Sequence, residues 1–129
     1  MSIKRNKINA PSAPSVVGGY SQAVNISAFD ELLFISGQIP VSKNGVTPSA
    51  FKAQAAQVWD NISAQLKAGG MSLGNIVKIT IFLADRKFAD DNQAIRDQYL
   101  GNLCPALTVI ICDIFDESWF LEIEAIAAR

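Results

Sequence analysis

The side chains best placed to do chemistry are carboxylates and hydroxyls, because the 129-residue chain contains no histidine. Glu122 and Glu124 stand two apart, so in an extended segment they share one face. Two close carboxylates can raise the pKa of one of them into a range useful for acid or base work. The plain alternative for Glu124 is a paired or solvated residue, and for Glu122 a structural acid hydrogen-bonded to backbone. Without histidine, Ser-His-Asp and Cys-His catalysis, an imidazole base and most zinc sites are excluded. The two cysteines, Cys104 and Cys112, make a poor metal site. If one strand holds both, a disulfide between them is geometrically disfavoured, so they read as reduced thiols packed as small hydrophobes.

Composition narrows the partners. Half the residues are hydrophobic, 18% are charged and the formal net charge is -1. No basic run exceeds Lys4-Arg5, so binding driven by phosphate neutralisation is not expected. The scarcity of charge favours an oligomer over a monomer. Residues 1–129 are long enough to bury a core and show no repeat or linker, so one domain is expected. Met1 to Pro14 is polar and lacks the apolar core of a signal peptide, and no stretch approaches a membrane span. A cytoplasmic protein without a membrane partner is the expectation.

The elements that must position these residues follow from periodicity. An irregular opening through Gly18-Gly19 leads to a strand around Tyr20 to Val24, which with Leu32-Leu33-Phe34-Ile35 suggests a hairpin. Phe51, Ala55, Val58, Trp59, Ile62 and Leu66 share a helical face that ends at Gly69-Gly70. Ile76 to Leu83 alternates as a strand, and a second helix is expected from about Phe88 to Leu100. Thr108 to Phe115 and Trp119 to Ala127 complete the order ββαβαββ, an α+β fold with two helices on one face of a mixed sheet. In the last strand Trp119, Leu121, Ile123 and Ala125 should face the helices. Phe120, Glu122, Glu124 and Ile126 should face away, joining Phe82 on a surface too apolar to leave in water yet carrying carboxylates. Burial against other subunits resolves that conflict.

Three segments carry a resemblance: Gly18-Gly19-Tyr20-Ser21-Gln22-Ala23-Val24, Ile35-Ser36-Gly37-Gln38-Ile39-Pro40 and Glu122-Ile123-Glu124-Ala125-Ile126-Ala127. With Asn75 to Phe82 and the helix before it, the chain resembles the RidA/YjgF reactive-intermediate deaminase family along essentially its whole length. The resemblance implies a chorismate-mutase-like fold assembled as a homotrimer, with small-molecule pockets between adjacent subunits. It also implies cofactor-free hydrolysis of reactive enamines and imines to 2-keto acids and ammonia. By the same resemblance Tyr20 lines the pocket, Ser36 and Gly37 face the ligand, and Glu122 positions the attacking water. Asn92 matches a helix asparagine near the site, its plain reading being a helix-surface residue.

The departure lies at Leu107, after Cys104-Pro105-Ala106. There the family places an arginine whose guanidinium clamps the substrate carboxylate. Hydrogen bonds to charged groups contribute about 1.5–3 kcal/mol, or roughly 10- to 100-fold in affinity. The resemblance therefore implies weak or absent activity on 2-imino acids. No nearby residue obviously substitutes: Arg96 falls on the second helix, where the sequence leaves its direction open. A metabolite-binding module without catalysis, and a ribonuclease or translation inhibitor, are the alternatives, the last disfavoured by low basicity and the lack of histidine.

Overall fold

The computed structural model describes residues 3–129. In chain order they form β1 (Lys4–Ile8), β2 (Ala23–Ser27), β3 (Leu32–Gln38), α1 (Phe51–Ala68), β4 (Ile76–Leu83), α2 (Ala89–Leu100), β5 (Ala106–Ile111) and β6 (Leu121–Ala128). The α+β fold with a mixed sheet is as expected, but one strand was not foreseen. Lys4–Ile8, in the opening read as irregular, pairs antiparallel with β2 as a separate two-stranded sheet. Residues 1 and 2 of that opening lie outside the described residues. The expected hairpin between the next two strands is not formed. β2 takes β1 as its partner and starts at Ala23 rather than Tyr20, while β3 pairs with β6.

The main sheet is ordered β3-β6-β4-β5, with β4 and β5 parallel and the other pairs antiparallel. A parallel pair needs a crossover of a dozen residues or more, and the β4-to-β5 connection supplies it through α2. β5 begins two residues earlier than expected and ends at Ile111, leaving Phe115 outside the sheet and almost fully exposed.

Side-chain alternation divides the sheet into two unlike faces. Ile79, Ile81, Leu83, Leu121, Ile123, Ala125 and Ala127 are buried under the helices, together with Val58, Trp59, Ile62 and Leu66 of α1. The helix ends as its Gly-Gly pair predicts. Gly70 takes a positive φ of 73°, its N–H donates to Lys67 O, and the Met71 N–H donates to Leu66 O. This is the left-handed C-terminal motif that glycine enters without a Cβ penalty. One buried polar residue, Gln54, bolts α1 to the approach to β6: its Nε2 donates to Pro48 O and Ser118 O, and its Oε1 accepts from Phe120 N–H. Phe120 itself corrects an expectation. It precedes β6 and packs with Phe88 at 4.8 Å, which in turn stacks on Phe51 at 4.5 Å, so it joins the core side rather than the open face.

The opposite face has no helix. Ladder partners share a face, and here Lys78, Thr80 and Phe82 stand beside Ile126, Glu124 and Glu122 on one side and Ala106, Thr108 and Ile110 on the other. Phe34, opposite Ile126, is 70% exposed.

Candidate functional site

Ser36 and Gly37 sit at a break in strand register. Ile35 pairs with Ala125 and Gln38 with Ile123, so two residues of β3 oppose the single Glu124 of β6. Such a bulge leaves a residue outside the ladder and re-aims its neighbours. The Glu122 carboxylate occupies the room left by the missing Gly37 side chain: a Cβ built there would collide with Glu122 Oε2. Glycine at this position leaves the acid its room, and Ser36, Gly37 and Glu122 lie near one another at the bulge. Ser36 also borders a shallow depression of about 250 Å³ with Phe34, Lys78, Thr80, Glu124 and Ile126. Glu122 borders a neighbouring hollow with Phe82, Cys112 and Phe115. Lys78 Nζ donates to Thr108 Oγ1 at 2.7 Å on the same open face.

Tyr20, Asn92 and Leu107 form a second group elsewhere, around a cavity of about 390 Å³ between α2 and β5. Tyr20 is held there by its neighbour. Ser21 N–H donates to Pro105 O at 3.0 Å, and Ser21 Oγ donates to Cys104 O at 2.6 Å. Cys104 has a positive φ of 50°, a conformation that costs a non-glycine residue of the order of 1–3 kcal/mol and that a fixed partner must hold. Pinning Tyr20-Ser21 to the residues before β5 sets the tyrosine beside Leu107.

Asn92 is not on the helix surface. It is 3% exposed, lines the cavity and leaves its Oδ1 buried without a hydrogen-bond partner. Arg96, whose direction the sequence left open, turns into the same cavity and is 5% exposed. The available signal was phase: Asn92 and Arg96 share the inward face of α2 with Ile95 and Leu100. Burial draws the Arg96 guanidinium below its ordinary pKa, against the opposing charge of Asp97 and proximity of Tyr20.

Within one chain the two groups do not meet. Leu107 pairs with Ile79, on the helix-covered side of β4, whereas Glu122 pairs with Phe82, on the bare side. Cys104 and Cys112 are free thiols. Among the described residues no cluster of three acidic or cysteine side chains is arranged to hold a metal ion, and no helix is long and apolar enough to cross a membrane.

This helix-backed mixed sheet has counterparts among known proteins. The sequence profile of the family described as Endoribonuclease L-PSP matches residues 10–129. The 2-iminobutanoate/2-iminopropanoate deaminase of Rattus norvegicus is 35% identical over 99% of this chain and 93% of its own length. A structure from Yersinia pestis, YyfB, described as a protein of unknown function of the conserved Rid family, superposes with a TM-score of 0.83 at 26% identity, covering 97% of this chain and 98% of that one. E. coli TdcF, solved with bound serine, superposes with a TM-score of 0.72 at 30% identity, covering 96% of this chain and 98% of that one. The chain belongs to the RidA/YjgF family.

Proposed function

We propose that this chain is a homotrimeric, cofactor-independent protein of enamine/imine deaminase descent that takes a small metabolite in clefts completed between adjacent copies. One copy contributes Tyr20, Asn92 and Leu107, and its neighbour contributes Ser36, Gly37 and Glu122. The observation that carries this reading is the opposite direction of Leu107 and Glu122 across the sheet. Two halves that face apart in one chain can meet only across a contact between two chains, and a head-to-tail ring provides that contact. The bare apolar face, with Phe34 and Ile110 exposed, supplies a reason for copies to associate.

In this reading Glu122 holds the attacking water, Tyr20 bounds the pocket, and Ser36 and Gly37 offer polar contacts. Water adds to the imine carbon, ammonia leaves, and a 2-keto acid remains. Leu107 itself supplies no charge for the substrate carboxylate, so turnover of 2-imino acids is slower than with an arginine at that position. The rat relative's name supports the reaction class, and the serine bound to TdcF supports a ligand of amino-acid size.

The test is ammonia release from freshly generated 2-iminobutanoate. Slow turnover above spontaneous hydrolysis, falling to background in Glu122→Ala, is expected; an unchanged rate in that variant removes the water-holding role. Leu107 also favours a second reading, a binding module without catalysis, which would give saturable metabolite binding with no turnover. RNA cleavage, suggested by the family's description, fits poorly with a net charge of -1 and no histidine.

A further inference from the structure

Two polar side chains that line the cavity between α2 and β5 each keep one buried atom that the chain leaves unanswered. Arg96 Nε is buried without a hydrogen-bond partner, and its contact with Asp97 Oδ1 is long, 4.0 Å, to a side chain half exposed to solvent. Asn92 Oδ1 is in the same condition. The two residues are four apart on one helix, so their Cβ atoms lie about 5–6 Å from each other on a common face. Both line the same cavity of about 390 Å³, walled by Leu83, Leu107 and Val109. Gly18 closes over the guanidinium: a Cβ there would lie 3.8 Å from Arg96 Nη2.

A guanidinium does not escape burial by losing its proton. With only the half-exposed Asp97 carboxylate at 4.0 Å to answer it, it keeps part of its desolvation cost. The unpaired Asn92 Oδ1 adds a second demand, for a donor. A single small molecule with an acceptor anion at one end and a donor a few atoms away meets both, and the cavity is of ligand size.

We propose that Arg96 is the anion-binding group of this cavity, and that the ligand is a small carboxylate bearing an N–H or O–H donor beside the carboxyl group, received by Asn92. The proposal rests on the small-metabolite reading above but not on hydrolysis. Arg96 takes the carboxylate in a charge-assisted contact through its Nη groups, Asn92 accepts the donor once its amide is turned to bring Oδ1 to the cavity, and Leu107 and Val109 enclose the carbon chain.

Calorimetric titration of the full chain with 2-hydroxybutanoate, butanoate and the neutral 2-hydroxybutanamide tests it. The first should bind best. Butanoate should bind more weakly for want of the donor, and the amide about 10- to 100-fold more weakly for want of the charge. Arg96→Met should erase the preference for 2-hydroxybutanoate over the amide while leaving the assembly's mass unchanged. Arg96→Lys should retain part of it, and decides the matter if Arg96→Met does not fold. Equal affinity of the parent for acid and amide, no binding of either, an unaltered preference in the Arg96 variants, or dissociation of Arg96→Met into monomers each overturns the proposal. The two readings fail separately. Loss of carboxylate preference in Arg96→Met beside a hydrolysis rate indifferent to Glu122→Ala retains the anion site and removes the catalytic role; the reverse pattern does the opposite.

Discussion

The two faces of the four-stranded sheet are made by alternate residues of the same strands, yet they are finished to different degrees. Under the helices, Ile79, Ile81, Leu83, Leu121 and Ile123 are fully buried. On the other side, Phe34 and Ile110 remain exposed among Lys78, Thr80, Thr108 and the two glutamates. The first face has what a fold needs within one chain. The second mixes apolar surface with groups that would be costly to bury unpaired, and in the proposed assembly it is the face that meets another copy. On the helix-covered side, the cavity beside α2 is bordered by buried polar side chains, Asn92 and Arg96, in place of close apolar packing. In the proposed reading, stability and function are separated first by sheet face, and then by a local gap in the packing.

Substitutions should follow that division. Ile123→Ala, at a fully buried position in the covered face, should cost about 2–5 kcal/mol in denaturant unfolding. Phe34→Ser should change the stability of the chain itself by no more than about 0.5 kcal/mol, while shifting the mass seen by light scattering toward monomer. A large loss of chain stability from Phe34→Ser would mean that the bare face is as structural as the covered one. Gly37→Ala should displace the Glu122 carboxylate at a cost of no more than about 1 kcal/mol, because the clash is with the free end of a flexible side chain. It should also lower imine hydrolysis at least as far as Glu122→Ala, because the acid must move; full retained activity would separate the bulge from the chemistry.

The smallest effect is expected at the outer seam of the helical layer. Tyr99 Oη donates to Asp60 Oδ1 at 2.9 Å, and burial, followed by that hydrogen bond and the Asp60 charge, raises the phenol above its ordinary pKa of 10.0. A raised folded-state pKa means stabilisation present in full below about pH 10 and lost as pH rises through the folded value. For so exposed a group this amounts to about a few tenths of a kcal/mol. Ultraviolet titration should find Tyr99 ionising above the ordinary value and should find it shifted downward in Asp60→Asn.

The covered face was legible in the sequence because burial imposes a period. Ile76 to Leu83 was read with its correct ends, and the apolar stripe from Phe51 to Leu66 marked α1 to within two residues. Strand partners were less legible. Nothing in Lys4–Ile8 alternates strongly enough to announce β1, whose residues are mostly exposed, so periodicity alone pairs β2 with β3. Gln54 is illegible for a related reason: a polar residue in phase with an apolar stripe looks like an interruption, and its three backbone partners lie far from it in sequence or outside the helix. Among the site candidates, Ser36, Gly37 and Glu122 were readable as motif residues and do gather in space. The direction of Arg96 was not readable, since helix phase identifies the inward face but not whether core or cavity lies beyond it.

The central claim is that one site draws its two halves from different copies. Leu107→Trp, which fills the cavity, and Glu122→Ala, which removes the acid, should each abolish hydrolysis of 2-iminobutanoate on its own. Unfolded together in equal amounts and refolded, they should recover about a quarter of the parent's rate, because random assembly joins an intact cavity to an intact Glu122 at about one contact in four. A mixture as inactive as its components, from a parent that is active, would contradict the shared site.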